Sequence, residues 1–521
     1  MVRLTDDYRR ERERFEAAGI AVPGYDGSAL PRTAAVWLHI GPGNFFRALH
    51  ATVADDLLNA GELASGIVVA GVRSPLAVQK VFRPFDNRHI CVVMPATGPL
   101  QKRLNATVVS SLVAEPNSAD WAALTGLFTS KALQLVTFTI TEKGYTVPTE
   151  LASPERPAST IEITAALLLA RYRAGEAPIA LVSTDNFSDN GDRLRNALGR
   201  VITTWAEEGL VEPGFCAWAS DPGTVSYPLT MVDRITPNPS AVVAAELAAA
   251  GFEDVELIHT SPGTIMAPFV NTEPTWYMVV EDSFPNGRPA LEKAGVLLTT
   301  RERVEAVDRM KVTVCLNPLH TALAVFGMLL GHPTIATSMA DPDLVSLVRR
   351  LGYDEGLPVC PDPGILNPRE FLDEVLTQRL PNPNLPDTPA RIAADTSQKL
   401  SIRFGQTLGA HLMRGTERDL VAVPLVLAGW LRYLLGVDDR GDPIQLSPDP
   451  RLPEAAVGLV GLGFDSIDQK VATAAAEVAM IVVGVDSGVI ATRVADLFAR
   501  LSAGPGSVRE TLHQQLRGGA S

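Results

Sequence analysis

The sequence predicts an α/β fold followed by a mostly α-helical domain, and three observations carry the prediction. Short apolar, β-branched runs alternate with helical Ala/Leu patterns through the first half of the 521-residue chain. A glycine turn follows the first of these runs directly. Beyond about residue 300 the strand-like alternation nearly vanishes, and long Ala/Leu/Val stretches at helical spacing take over. Strands alternating with helices build a parallel sheet covered on both faces. Residues 1–295 therefore read as a Rossmann-like α/β domain with an N-terminal helical arm, and residues 296–521 as a mostly α-helical domain.

Taken in order, MVRLTDDYRRERERFEAAG is charged where a secretory signal is apolar, and reads as a polar amphipathic helix. AVWLHI at 35–40 is the first strand; GPGNFFRALH is the turn after it and opens a helix that runs to Leu58. GIVVAGV at 66–72 is the second strand, with further strands at 90–94, 107–113 and 133–140. The apolar run 179–182 leads into the polar cluster STDNFSDNGD. The domain boundary falls in SFPNGRPALEKAG, at 283–295, and the Pro-rich stretch 381–389 is a loop. Two very apolar runs, 421–437 and 472–490, are broken by Arg432 and by Glu477 and Asp486, and read as buried helices rather than membrane spans.

Lys and Arg number 45 against 59 Asp and Glu, a net charge of -14, so the chain has no basic footprint for nucleic acid or an anionic membrane. A soluble protein acting on small molecules is expected. Cys91, Cys216, Cys315 and Cys360 form no CxxC pair, which argues against a disulfide framework and a thiolate zinc site and makes a reducing cytoplasm the expected compartment.

Four groups of residues are candidates for chemistry. Gly41 and Gly43 after a strand allow a tight turn and close approach of a pyrophosphate to the N–H groups of Asn44 and Phe45, although Phe46 stands where the usual third glycine would be. Arg47 adds a charge there; taken alone, the segment is also compatible with a plain βα turn. Arg73 and Ser74 close the second strand where an acid would select NAD, which leaves NAD and NADP both open. In STDNFSDNG, the side chains of Asp185, Asn186, Asp189 and Asn190 aim polar groups into a cleft, or simply make a turn. Asp233 and Arg234 of MVDRITP, taken alone, read as a surface ion pair. Lys311, Asn317 and His320 are polar positions on an apolar segment; Asn317 and His320 share a helix face, and a buried lysine becomes a usable base when its pKa falls. The bland alternative is a satisfied core histidine beside Asn-Pro.

GPGNFFRA, TEKGY at 141–145, DNxxxNG at 185–191, MVDRITP and the Lys…AsnxxHis segment occur in one order, and together they resemble the mannitol dehydrogenase family of polyol-specific long-chain dehydrogenases/reductases. The resemblance spans about residues 35–405; FVNTEPTWYMVVEDSFPNGRP and CLNPLHTALAVFG are most similar to the fructuronate reductase, or D-mannonate oxidoreductase, members. It implies metal-independent, NAD(P)-dependent oxidation of a secondary alcohol on a linear polyol or aldonate, with residues 1–295 as the dinucleotide-binding domain and residues 296–521 as the substrate-binding and catalytic domain. The leading expectation is interconversion of D-mannonate and D-fructuronate with NAD, NADP being the alternative cofactor. A mannitol/fructose dehydrogenase is the second reading, and a non-catalytic dinucleotide-binding sensor the third.

The resemblance assigns Lys311 as general base, Asn317 and Asn186 as the amide pair on the reacting oxygen, and His320 as the residue that positions substrate. Gly41, Gly43, Asn44, Phe45, Arg47, Arg73, Ser74 and Asp185 are expected at the cofactor. Asn190, Asp233, Arg379 and Arg403 are expected at the substrate. One departure stands out. Five residues rather than the family's four separate Lys311 from Asn317, which on an ideal helix turns the lysine by about 100°. A π-bulge, or a kink at Pro318, is expected to absorb the extra residue.

Overall fold

The computed structural model describes residues 1–32, 35–72, 75–261 and 263–517, so the predicted cofactor residues Arg73 and Ser74 lie outside the described residues. Two compact units result, Met1–Glu305 and Ala306–Ser521. The first extends beyond the boundary expected at 295 because Leu297–Thr299 is still a strand, paired in parallel with Tyr277–Glu281.

Six parallel strands form the centre of the N-terminal unit: β1 Trp37–Ile40, β2 Ile67–Gly71, β3 Val108–Val113, β4 Leu135–Phe138, β5 Ile179–Ser183 and β6 Val225–Ser226, in spatial order 3-2-1-4-5-6. Alternation along each strand divides the apolar residues between two cores. Leu38, Ile40, Val136 and Phe138 face one side, where helices α3 Thr160–Arg173 and α4 Asn190–Glu207 pack. Trp37, Val69, Leu135 and Val182 face the other, against α2 His50–Asn59. A sheet so covered on both faces is the doubly wound arrangement that the alternating pattern predicts. The helix expected from the glycine turn to Leu58 is instead two, α1 Asn44–Ala48 and α2, with a bend at Leu49.

The run at 90–94 is a strand, His89–Val93, but not of this sheet. It joins a mixed four-stranded sheet with Ile20–Ala21, Gln101–Asn105 and Phe269–Thr272. Its antiparallel partner Gln101–Asn105 is reached through a short loop, which no parallel pairing allows.

In the C-terminal unit the central pair of helices is α5 Asn317–Leu330 and α6 Ala422–Leu434. They approach so closely at Gly429 that a Cβ there would lie 2.6 Å from Phe326 Cζ. The first three N–H groups of α6, at Val421, Ala422 and Val423, all donate to the buried Glu355 carboxylate at 2.6–2.8 Å, an anion placed where the helix dipole favours one. Arg432, which interrupts the apolar run, is itself buried and donates to the carbonyls of Leu501, Val437 and Asp438. The run at 472–490 is not one buried helix: Gly484, at φ 78°, ends Gln469–Val483 and leaves Ile481 exposed. The helical stretch Arg301–Leu330 is long and apolar enough to cross a membrane, and its apolar window is 78% buried within the protein.

Behind the glycine turn lies a set of buried imidazoles. Trp37 Nε1–H donates to Thr137 Oγ1 at 2.8 Å, which leaves the Thr137 hydroxyl hydrogen for His39 Nδ1 at 2.7 Å. His39 Nε2 then carries the proton and reaches Gly41 O at 3.1 Å and Thr139 Oγ1 at 2.8 Å. The Thr184 hydroxyl is spent on Phe138 O, so His50 Nε2–H donates to Thr184 Oγ1, and His50 Nδ1 is buried without a partner. Burial lowers the pKa of His39, and that of His50 to about 3. Below the ordinary value of 6.5 the unfolded chain binds the proton that these folded imidazoles refuse, so the stability they confer is complete above pH 6.5 and is lost as the pH falls toward 3. A His50→Gln variant, unable to titrate, is expected to lose about 2 kcal/mol less than the wild type between pH 7 and pH 5, measured from urea unfolding midpoints.

Candidate active site

In the N-terminal unit, a cleft of about 370 Å³ opens at the carboxyl ends of β1 and β4, lined by Gly41, Pro42, Gly43, Thr139, Thr141 and Lys143 among others. Here the strand order reverses, and ligands of open α/β sheets bind at such a crevice. Gly41 has φ 120°, and a Cβ on it would lie 2.2 Å from Thr139 O, so no side chain fits. Gly43 starts α1, and a Cβ there would meet nothing within 4 Å, leaving its backbone open to the cleft. The opposite wall is shaped by Thr141, a β-branched residue at φ 60°. Asp185 holds it there: its carboxylate accepts the N–H of Ile140 and of Thr141, each at 2.9 Å, and the Tyr145 hydroxyl at 2.7 Å. Burial raises the Asp185 pKa, and these bonds offset the rise in part. The strand-end turn, the open glycine backbone and the cleft between the two halves of the sheet fit a dinucleotide.

Several residues expected at a ligand do other work. Arg47 is only 1% exposed and donates to Ala267 O and Asn44 Oδ1, so it adds no charge at a phosphate; Asn44 is engaged with Arg47 and Ile265 O. The Phe45 ring turns into the core against His50. Asp185 spends its carboxylate on the cleft wall. Asn190 is saturated, its Nδ2 shared among Asp185 O, Thr230 O and Thr230 Oγ1 while its Oδ1 accepts Thr230 N–H, so it offers nothing to a substrate. Asp233 ends the strand Thr230–Asp233 and is buried. Arg234 is no surface ion pair: it is buried on the carbonyls of Ala48 and Glu273. Asn186 follows β5 directly and is itself hydrogen-bonded or charge-paired.

In the C-terminal unit, the extra residue before Asn317 is absorbed as expected. Lys311–Cys315 is a π-helical turn, closed by Leu316 N–H on Lys311 O at 3.1 Å, and α5 starts immediately after it at Asn317. An i→i+5 ring takes in one more residue per turn, so six residues advance about as far around the axis as five do in an α-helix. Lys311 is buried, with Asp308 at 3.9 Å. The half-buried Asn317 side chain makes no hydrogen bond to the described residues. One turn on, His320 Nε2 faces Asp387 Oδ2 at 3.4 Å, and Asp387 is also held by Arg391. Burial pushes the Asp387 carboxyl up, but His320 and Arg391 outweigh it and its pKa lies below the ordinary value. With Nε2 turned to Asp387, His320 Nδ1 is the ring nitrogen left for a ligand. Arg403 Nη1 donates to Thr321 Oγ1 at 2.5 Å, beside His320. Arg379 is buried at the end of another π-turn, Val375–Arg379.

Thr139, Thr321 and Asp387 line the candidate site and were passed over in the sequence reading, which met Thr141 only as the first residue of TEKGY. Only Asp387 had a visible signal, as an acid in the Pro-rich loop. Among the described residues, no group of three or more His, Cys, Asp or Glu side chains is placed to hold a metal.

Comparison with known proteins places this geometry in context. Residues 36–293 match the mannitol dehydrogenase Rossmann domain, and residues 303–472 the mannitol dehydrogenase C-terminal domain. The chain is 42% identical to a D-mannonate oxidoreductase of Thermotoga maritima, over 98% of this chain and 99% of that protein. It is 33% identical to a mannitol 2-dehydrogenase of Cereibacter sphaeroides, over 80% and 84%. The solved ternary complex of Pseudomonas fluorescens mannitol 2-dehydrogenase with NAD and D-mannitol superposes with a TM-score of 0.68 at 28% identity, covering 96% of this chain and 97% of that one.

The two glycines make a paired test. Gly41→Ala is expected to cost about 3 kcal/mol through strain at positive φ and the clash with Thr139, lowering the thermal midpoint by several degrees. Gly43→Ala is expected to shift it by no more than about 1 °C.

Proposed function

The chain belongs to the mannitol dehydrogenase family, and from that premise we propose that it is a nicotinamide-dependent oxidoreductase interconverting D-mannonate and D-fructuronate, with Lys311 as general base. The observation that carries the proposal is the π-turn Lys311–Cys315, which sets a buried lysine one turn ahead of an uncommitted amide and an oriented imidazole. A π-turn costs hydrogen-bond geometry, and such turns recur at functional positions. The 42% identity to a D-mannonate oxidoreductase, over nearly the whole of both chains, supports the substrate.

In the oxidative direction Lys311 takes the hydroxyl proton as the C–H bond opens. Asn317, and by the resemblance Asn186, donate amide N–H bonds to the oxygen as its charge grows. His320, turned by Asp387, offers Nδ1 to a neighbouring substrate hydroxyl. When bound, the dinucleotide supplies or accepts the hydride; Gly41, Gly43, Thr139 and Thr141 are the residues that would hold it. The second reading, a mannitol/fructose dehydrogenase, is favoured by the matches to mannitol 2-dehydrogenases.

NADH and NADPH oxidation, followed by absorbance with D-fructuronate, D-tagaturonate and D-fructose in parallel, tests the proposal. D-fructuronate with NADH is expected to be the best pair, and Lys311→Ala to lower kcat by at least about 1,000-fold. Turnover of D-fructose alone moves the chain to the second reading. Cofactor binding without turnover of any ketose overturns both readings in favour of a sensor.

A further inference from the structure

The proposed substrate differs from a neutral ketose in its carboxylate, at the end remote from the reacting ketone. Of the arginines with buried or half-buried guanidinium groups, Arg379 is already partnered, and the bonds of five others show which of them is available to read it. Arg171 donates to five backbone carbonyls, those of Phe128, Ser130, Leu133, Ala177 and Pro178. Arg432 bonds three carbonyls, Arg234 two, and Arg47 a carbonyl and an amide oxygen. Each serves as a fastener between chain segments. Arg403 does not. Of its five N–H groups a single one is engaged, with the Thr321 hydroxyl, and among the described residues no carboxylate pairs with it. Burial without a counter-charge brings its pKa down to about 10. Lys399, one turn earlier, is lowered too, first by burial and next by Arg403. Lys399 is held by the carbonyls of Ala394 and Ile392; the two neighbouring cations make a local positive field in a chain of net charge -14, and within it the Arg403 guanidinium is the group with donors to spare.

Thr321 ties this field to the chemistry. Its hydroxyl accepts from Arg403 and donates to Asn317 O at 3.0 Å, so the guanidinium is fixed one hydroxyl away from the first turn of α5, which carries Asn317 and His320.

On the reading of the function given above, we propose that Arg403 determines specificity by pairing its free N–H groups with the remote carboxylate of a sugar-acid substrate. A guanidinium takes a carboxylate through two parallel, charge-assisted bonds, whereas a hydroxymethyl group in the same place leaves it unpaired. Discrimination therefore comes as much from the unsatisfied cation in the wrong complex as from the ion pair in the right one.

The test compares kcat/KM for D-fructuronate and for D-fructose in the wild type, Arg403→Met, Arg403→Lys and Thr321→Val, with circular dichroism and melting to confirm folding. Binding of D-mannonate and D-mannitol to the NAD-loaded protein, by calorimetry, repeats the comparison without turnover. The acid-over-neutral preference is expected to fall about 100-fold in Arg403→Met, mainly through KM, and less in Arg403→Lys and Thr321→Val. A preference in folded Arg403→Met within about threefold of the wild type overturns the inference. Should Arg403→Met fail to fold, an unaltered preference in both Arg403→Lys and Thr321→Val overturns it as well. If the wild type reduces neither ketose yet binds D-mannonate through Arg403, the reaction assignment fails and the carboxylate site stands.

Discussion

The hydrogen-bond chain from Trp37 through Thr137 and His39 to Gly41 is the constraint on which the nucleotide half of the molecule depends. It ties adjacent strands β1 and β4 together just before they part, and it terminates on the carbonyl of Gly41, whose φ of 120° only glycine adopts freely. The Trp37 and Thr137 hydrogens have one place each to go, and the His39 Nε2 hydrogen is shared between Gly41 O and Thr139 Oγ1, so the imidazole is held in a single neutral tautomer. A protonated ring would bring a charge into a core lined by Phe46 and His50. The turn is rigid because the groups behind it are buried and nearly all spoken for, and that rigidity keeps the crevice open. Asp185 does the corresponding work on the opposite wall, giving its carboxylate to three donors and so keeping Thr141 in a conformation that a β-branched residue ordinarily avoids.

The helical unit is organised around a different difficulty, that of bringing polar side chains into an apolar interior. Glu355 solves it for the start of α6 by accepting three consecutive N–H groups. The π-turn solves it for Lys311: widening one turn compensates angularly for the additional residue, so the lysine and Asn317 keep the relation that a shorter spacing has on an α-helix. Asp387 solves it for His320, since one carboxylate faces the imidazole and also takes Arg391. In each case an acid or a backbone distortion is placed for the benefit of a neighbour.

The buried arginines extend the argument. A guanidinium with all three nitrogens bound to carbonyls is structural, and its charge is dispersed over several peptide dipoles. One with a single bond and no acid nearby is a cost to the fold that a bound anion would remove. That contrast, rather than conservation or position, separates Arg403 from Arg171 and Arg432.

Much of this was legible in the linear chain. Local periodicity marked β1, β2 and the helical second half, since an alternating run and a helical run bury different faces whatever surrounds them. The order of the five motifs marked the family, and the count between Lys311 and Asn317 pointed to a distortion. What each polar side chain does with its bonds was not legible. Asn44, Arg47 and Asn190 carry the right chemistry for ligand binding, but they spend it on Ile265, Ala267 and Thr230, dozens to hundreds of residues away in sequence. The strand at 89–93 left the parallel sheet because it folds back on 101–105 and its other partner, 269–272, arrives from outside any local window. The sequence by itself thus determined the element types, the family and the candidate base. Only the tertiary structure decided which polar groups remain free for a ligand, because a hydrogen bond once made inside the protein is no longer available to anything else.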